Sequence, residues 1–218
     1  MLEGKRLRYL IGANGPQLGH AEEVTVVGYD TGPAQFGVSV GYCNLFDEKN
    51  TGRLGPYLHN SDTAAQYGEG QIDPRGPGWE KNLRAQFTRR RRQGFQYIEL
   101  DNPDAYSMLD VLRAVSLAAT YRLGVIAKNP LLVEGNPVPY IQNTHGAIVE
   151  RGAGSPRDMD AVRIKASRPD LPVWFVSFGS GRNWAEAVGR AAVGYKNMWV
   201  SYSSKGEYGN SLDINGIR

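Results

Sequence analysis

The sequence has one cysteine, Cys43, in 218 residues. This excludes an intramolecular disulfide, so the core and its hydrogen bonds must hold the fold together. No histidine stands near Cys43 along the chain, which disfavours a cysteine–histidine nucleophile and predicts a small buried or half-buried side chain. Histidines are also few: His20, His59 and His145 are scattered and lack metal-ligand spacing. We therefore expect neither a metal nor another cofactor.

Long apolar runs are lacking as well. No stretch approaches the roughly 20 apolar residues of a membrane span, and residues 1–10 lack the apolar run of a signal peptide. We expect a soluble protein with no membrane contact, either cytoplasmic or secreted after removal of a leader. The sequence leaves open which of the two applies, and it leaves the oligomeric state open too.

The excess of one sign of charge over the other is small, since the net charge is only +3. This value is too small to predict a nucleic-acid partner. The basic residues cluster once, at Arg89-Arg90-Arg91-Arg92, where they end a predicted helix. We interpret the run as a solvated helix end whose cations complement the helix dipole. A patch that binds polyanions is the alternative.

Short β-branched and aromatic runs, each closed by a polar or glycine-rich turn, predict eight strands. They are Arg8–Ile11, Val24–Tyr29, Phe36–Tyr42, Phe95–Leu100, Val125–Ala127, Gly146–Val149, Val173–Phe178 and Met198–Tyr202. Helical patterns cover Trp79–Gln93, Asp104–Tyr121, a segment opened by Ser155-Pro156, and Trp184–Val193. The glycine- and proline-rich stretch Asp47–Gly78 predicts an irregular excursion.

Alternation of strands and helices indicates a parallel sheet with right-handed crossovers. Eight strands favour closure into a (β/α)8 TIM-like barrel. The first two connections are too short for crossover helices, so the first quarter should have a reduced outer layer. An open doubly wound sheet is the alternative. The length, and the absence of an internal repeat, predict one domain over residues 1–218.

Active sites of such barrels lie at the carboxyl ends of the strands. The polar residues at these ends are Asp30, Glu99, Asp101, Lys128, Asn129 and Glu150. Strand alternation puts Glu99 and Asp101 on one face, and acids inside a barrel are costly unless they are hydrogen-bonded or functional. Two carboxyl groups across a scissile bond are what glycoside hydrolysis needs. We therefore expect that two of these four carboxylates face each other across a scissile bond.

Structural roles compete with these assignments. Asp101 stands in a turn that would suit a helix cap, but Asp104 fits that role better. Glu99 is one pleat deeper and is expected to pair with Lys128. Asp30 lies in the turn sequence Asp-Thr-Gly-Pro. The residues predicted to contact a sugar are Asp30, Tyr42, Glu99, Asn102, Lys128, Asn129 and Tyr202, whereas the four tryptophans are expected in packing roles.

Five segments, in order over residues 9–180, resemble glycoside hydrolase family 114. They are Val26–Asp30, Val38–Gly41, Gly94–Tyr106, Gly124–Asn129 and His145–Glu150. The family has a (β/α) barrel and includes endo-α-1,4-polygalactosaminidases, which cut galactosamine polymers. The resemblance implies that Asp101 and Glu150 match the family's catalytic aspartate and glutamate. It thus implies hydrolysis of an amino-sugar polysaccharide, and a mouth rich in carboxylates would favour a cationic substrate.

The sequence departs from the family pattern at Gln96-Tyr97, at His145 and at Tyr42-Cys43-Asn44. These departures motivate a second hypothesis, a non-catalytic carbohydrate-binding pseudoenzyme on the same barrel. A third hypothesis makes Lys128 a Schiff-base amine, but neighbouring acids oppose the lowered pKa that this chemistry needs. Within the hydrolase hypothesis we assign Asp101 as nucleophile or base and Glu150 as acid, and the reverse assignment stays open.

Overall fold

The computed structural model contains the eight predicted strands in the predicted order, and its described residues also form five further short strands. It describes residues 2–3, 5–10, 20–28, 31–46, 57–59, 70–130, 132–133, 136–137, 139–151, 160–178, 197–203 and 210–213. The strands are β1 (Arg6–Leu10), β2 (Glu23–Val27), β3 (Val38–Asn44), β4 (Tyr57–His59), β5 (Gln71–Ile72), β6 (Tyr97–Asp101), β7 (Gly124–Lys128), β8 (Leu132–Val133), β9 (Asn136–Pro137), β10 (Gly146–Arg151), β11 (Val173–Phe178), β12 (Met198–Ser203) and β13 (Asn210–Asp213).

Eight of these strands are parallel and form the wall of a nearly closed barrel. Their order around the sheet is β1-β2-β3-β6-β7-β10-β11-β12, and β13 pairs with β12 in the antiparallel direction. β1 lies beside β12 and β13, so the sheet curls back on itself. This arrangement confirms the predicted (β/α)8 TIM-like barrel, and the open doubly wound alternative is wrong. The described residues 31–37, which lead into β3, contain no helix, in keeping with a reduced first quarter.

The α-helices of the described part of the chain are α1 (Pro77–Arg92), α2 (Met108–Thr120) and α3 (Asp160–Ser167). Short 3-10 turns cover Pro103–Ala105 and Pro139–Asn143. The predicted helix Trp184–Val193 and the predicted start at Ser155-Pro156 lie outside the described residues. None of the described helices is long and apolar enough to cross a membrane.

The helix predicted to begin at Asp104 begins instead at Met108. Ser107 is its cap: the Ser107 hydroxyl oxygen accepts a hydrogen bond from the Asp110 backbone nitrogen at 3.3 Å. The prediction of Asp104 as cap was wrong because Tyr106 is extended (φ −123°) and separates the 3-10 turn from the helix. The Tyr106 ring packs against Trp79, with the ring centroids 5.7 Å apart, and this contact favours the interruption.

Strand alternation divides the core into two clusters. The cluster outside the barrel packs β-strand residues such as Ile98, Leu100, Val125 and Phe175 against the helices. The cluster inside the barrel contains Leu7, Val24, Val26, Val40, Tyr42, Ile126, Ile148, Trp174, Val176 and Trp199. Trp174 and Trp199 stack with centroids 5.9 Å apart. The predicted packing role of the tryptophans is therefore confirmed for these two and for buried Trp79, while Trp184 lies outside the described residues.

The amino ends of the central strands are closed by aromatic packing. The rings of Tyr97 and His145 meet edge-on with centroids 5.8 Å apart. Gly124 lies against them, and a Cβ there would come within 2.6 Å of the Tyr97 ring. Burial, together with the charge of Arg168, lowers the pKa of His145. These residues therefore stabilise the end of the barrel opposite the strand carboxyl ends.

Arg90 departs from the prediction of a solvated arginine run. Arg89, Arg91 and Arg92 are exposed, but Arg90 is only 1% exposed and lies against β3. Its Nη2 donates to the carbonyl oxygens of Tyr42 at 2.7 Å and Gly28 at 3.1 Å, and its guanidinium lies 5.1 Å from the centroid of the Phe95 ring. Arg90 was mispredicted because these main-chain acceptors come from distant segments of the chain.

Arg90 crosses β3 at Gly41. A Cβ at Gly41 would come within 2.6 Å of the Arg90 Cδ, so the absence of a side chain there lets the arginine reach its acceptors. The close approach explains why a glycine stands in the middle of this strand.

The Cys43 thiol is fully buried, as predicted. Burial raises its pKa to about 12, so little thiolate forms at neutral pH. We expect iodoacetamide at pH 8 to label Cys43 at least about a hundredfold more slowly in the folded protein than in denaturant. Mass spectrometry of the quenched reaction measures the two rates. Rapid labelling of the folded protein would contradict the packing described for β3.

Candidate active site

Asp101 ends β6 on the inner face of the barrel and is 9% exposed. Its Oδ1 accepts a hydrogen bond from the Asn102 backbone nitrogen at 2.9 Å. Its Oδ2 accepts from the Tyr42 hydroxyl at 2.7 Å and from Lys128 Nζ at 3.3 Å. Both oxygens of Asp101 therefore accept hydrogen bonds, which stabilise a negative charge and fix the orientation of the carboxylate.

Tyr42, Asn44 and Asn102 form a network around this carboxylate. Asn44 Nδ2 donates to the Tyr42 hydroxyl at 3.2 Å, and Asn102 Nδ2 donates to Asn44 Oδ1 at 2.7 Å. Asn102 adopts φ 59°, a left-handed conformation that asparagine tolerates well. Tyr42 and Asn102, which were predicted to contact a sugar, each bond Asn44 and each donate to Asp101, Tyr42 through its hydroxyl and Asn102 through its backbone nitrogen.

Asn44 was not among the predicted site residues. It is fully buried one pleat beyond Tyr42 on β3, opposite Asp101 in the sheet register. The alternation of Tyr42 and Asn44 on one strand face was the available signal. It was overlooked because the prediction ended the strand at Tyr42, two residues short of its observed end.

Lys128 ends β7 and lies among three carboxylates. Its Nζ is 3.2 Å from Glu150 Oε2, 3.3 Å from Asp101 Oδ2 and 3.8 Å from Glu99 Oε1. Burial disfavours the charged amine, but the attraction of the three carboxylates outweighs burial and raises the pKa of Lys128 above its usual range. The predicted ion pair between Glu99 and Lys128 is present. A neutral amine for Schiff-base chemistry is disfavoured here.

Glu150 lies near the end of β10, and its side chain is the most exposed of the three acids, at 21%. Its backbone nitrogen donates to Asn129 Oδ1 at 2.8 Å. Asn129 follows β7 with φ 45°, and its backbone nitrogen donates to the Ile148 carbonyl at 2.7 Å. Asn129, predicted to contact a sugar, therefore ties the end of β7 to the strand that carries Glu150.

Exposure increases across the cluster from one acid to the next. The Glu99 side chain is fully buried, that of Asp101 is 12% exposed and that of Glu150 is 21% exposed. The cluster thus opens on the Glu150 side, and a ligand would approach from there. Two of the predicted sugar-contacting residues cannot be placed, because Asp30 and the side chain of Tyr202 lie outside what the structure describes. Among the described residues no group of histidine, cysteine, aspartate and glutamate is arranged to hold a metal ion.

Comparison with known proteins gives structural neighbours only. No protein-family model matches the sequence, and no curated protein matches it. The structure is similar to that of Ega3 from Aspergillus fumigatus in complex with galactosamine, with a TM-score of 0.71, 12% identity, and coverage of 96% of this chain and 94% of that chain. The two chains share the (β/α)8 barrel fold.

A second neighbour is a variant of the glycoside hydrolase domain of PelA from Pseudomonas aeruginosa. It has a TM-score of 0.63 and 13% identity, with coverage of 91% of this chain and 94% of that chain. Both alignments span nearly the whole of this barrel. The predicted resemblance to the family is therefore confirmed at the level of the fold.

The residues that depart from the family pattern lie in two different parts of the barrel. Gln96 and His145 precede β6 and β10, at the amino ends of the strands and away from the carboxylate cluster. His145 packs against Tyr97 at the barrel floor, whereas Gln96 is exposed. Tyr42 and Asn44 are different, because both belong to the network around Asp101.

Proposed function

We propose that this chain is a glycoside hydrolase that cleaves an amino-sugar polysaccharide of the galactosamine type, with Asp101 and Glu150 as its carboxylate pair. The supporting observation is that both carboxylates contact one ammonium group, Lys128 Nζ, at the carboxyl ends of β6 and β10. Such barrels carry their active sites at this end. The fold shared with a galactosamine-bound neighbour supports the choice of sugar.

The spacing of the pair favours retention of anomeric configuration. Because Asp101 Oδ2 and Glu150 Oε2 lie 3.3 and 3.2 Å from the same nitrogen, their separation cannot exceed the sum of these lengths. Retaining enzymes place their carboxyl groups about 5–5.5 Å apart, whereas inverting enzymes need about 6.5–9.5 Å to admit a water. The two oxygens beside Lys128 thus lie close enough for the retaining arrangement, and the mechanism that we propose is a retaining one.

In the proposed mechanism Glu150 donates a proton to the glycosidic oxygen while Asp101 attacks the anomeric carbon. The glycosidic bond breaks, the leaving chain departs as an alcohol, and Asp101 is left as a glycosyl ester. Glu150, now a carboxylate, takes a proton from water, whose oxygen attacks the same carbon and releases Asp101. The donors on both oxygens of Asp101 suit it to the ionised role, and the greater exposure of Glu150 suits it to contact the leaving group.

One observation favours the alternative, a carbohydrate-binding protein without turnover. Lys128 Nζ lies 3.2 Å from Glu150 Oε2, so the oxygen that would face a leaving group is already engaged in an ion pair. If this contact persists when sugar binds, the site binds but does not cleave.

The test uses α-1,4-linked galactosamine oligosaccharides and follows chain length by mass spectrometry. We expect cleavage, with the first-formed product in the α configuration when monitored by proton NMR before mutarotation. Binding without cleavage would support the non-catalytic alternative, and a first product in the β configuration would contradict the retaining mechanism.

A further inference from the structure

A main-chain nitrogen fixes the direction of the hydrogen bonds that lead to Asp101. The Phe46 backbone nitrogen donates to Asn44 Oδ1 at 2.9 Å. Because a backbone nitrogen can only donate, the amide oxygen of Asn44 must face it, and the amide nitrogen then faces the Tyr42 hydroxyl at 3.2 Å. The Tyr42 oxygen accepts this bond, and its one hydrogen is directed to Asp101 Oδ2 at 2.7 Å.

Asn44 is itself held from outside the barrel by Gln86 of α1. The Asn44 backbone nitrogen donates to Gln86 Oε1 at 2.9 Å, and Gln86 Nε2 donates to the Asn44 carbonyl oxygen at 2.8 Å. The side-chain oxygen of Asn44, which is fully buried, also accepts from Asn102 Nδ2 at 2.7 Å. The main chain and the side chain of Asn44 are therefore both fixed by contacts within the protein.

Hydrolysis of the glycosyl ester returns a negative charge to Asp101. Water attacks the anomeric carbon and gives its proton to Glu150. The bond between this carbon and the Asp101 oxygen breaks, and the bonding electron pair stays on the carboxylate. A donor that already points at the carboxyl group stabilises the charge as it develops, without the cost of turning toward it. The Tyr42 hydroxyl is placed as such a donor.

We infer that Asn44 is a positioning residue, which keeps the Tyr42 hydroxyl donating to Asp101 and thereby speeds hydrolysis of the glycosyl ester. This inference rests on the proposed function and extends its machinery beyond the carboxylate pair. Asn44 acts through Tyr42. A side chain of the same shape that accepts where Asn44 donates should therefore reverse the bond and turn the hydroxyl away from Asp101.

Asn44→Asp makes this change, and Tyr42→Phe removes the hydroxyl altogether. The substrate is an aryl glycoside of a galactosamine oligosaccharide with a good leaving group, for which release of Asp101 limits turnover. We expect each variant to lower kcat by at least about tenfold, the loss of one hydrogen bond to a charged group. KM should fall as well, because the glycosyl ester accumulates, and mass spectrometry of the intact protein should detect the ester.

The double variant separates orientation of the hydroxyl from the added charge. In the Tyr42→Phe background Asn44→Asp has no hydroxyl to turn, so it should change kcat by less than about twofold. Two matched controls make the same replacements away from the cluster. Tyr121→Phe removes the hydroxyl of a ring that packs against Phe87, and Asn143→Asp adds a charge at an exposed position. Both should match the wild type in kcat and KM.

The outcomes separate this inference from the proposed function. An unchanged kcat for Tyr42→Phe, a lower kcat without accumulation of the ester, or effects that multiply in the double variant would overturn the inference and leave the hydrolase proposal standing. Should Asn44→Asp fail to fold, Asn44→Ala, which removes the orienting amide without adding a charge, replaces it in the same comparisons.

If the wild type cleaves no glycoside, the hydrolase proposal fails and urea unfolding decides whether Asn44 orients Tyr42. The unfolding constants of Tyr42→Phe and Asp101→Ala should then be non-additive by about tenfold, and Asn44→Asp should abolish this coupling. That result supports the positioning of Tyr42 without the hydrolase proposal, whereas additive effects overturn both.

Discussion

Asp101→Asn and Glu150→Gln are each expected to lower kcat/KM for an unactivated oligosaccharide by about 10²–10⁴-fold or more while the barrel stays folded. Asparagine at position 101 keeps the size of the side chain but removes the charge that attacks the anomeric carbon. Glutamine at position 150 cannot supply a proton to the leaving oxygen. Initial rates and circular dichroism, measured on the same preparations, separate loss of chemistry from loss of fold.

An activated substrate distinguishes the two roles. An aryl glycoside with a good leaving group needs no general acid for the first step, so Glu150→Gln should retain a burst of aryl release that Asp101→Asn lacks. The opposite pattern would assign the acid to Asp101. Full activity of both variants on the oligosaccharide would place the chemistry elsewhere in the molecule.

Arg90→Met is expected to lower the free energy of unfolding by about 3–5 kcal/mol, the largest stability effect that we predict. Methionine keeps much of the apolar stem that packs over Gly41, but it leaves the buried carbonyls of Tyr42 and Gly28 without their guanidinium donor. In a chain of this size such a loss lowers the Tm by roughly 10 °C. Urea unfolding followed by tryptophan fluorescence measures it.

Arg92→Met is the matched control, because it makes the same replacement on the same helix at an exposed position. We expect its effect to stay within about 0.5 kcal/mol. If the two variants unfold alike, the contacts of Arg90 with the ends of β2 and β3 do not stabilise the fold as described.

The barrel was predictable because its signals are local. Short β-branched runs separated by turns and helices specify a parallel sheet, and the strand count then favours closure. The ends of elements were less predictable, because they depend on tertiary contacts. Tyr106 interrupts a helical pattern by packing against Trp79, and Arg90 is buried by carbonyls that no pattern within α1 reveals.

The acids of the candidate site were predictable for a related reason. Residues at the carboxyl ends of parallel strands must converge, so Asp101, Lys128 and Glu150 were grouped from the sequence alone. The supporting shell was not predictable. Whether Tyr42 stacks on a sugar or donates to Asp101 depends on the stagger between β3 and β6, and the sequence gives no register for parallel strands.

The tryptophan stack inside the barrel and the aromatic packing at its floor have one further consequence. Side chains fill the interior beneath Glu99, so no open passage runs along the axis of the described part of the barrel. A polymer cannot thread through it. The sugar units on both sides of the cleaved bond must therefore bind and leave at the same end of the barrel. This arrangement suits cleavage within a long polysaccharide as well as at its terminus.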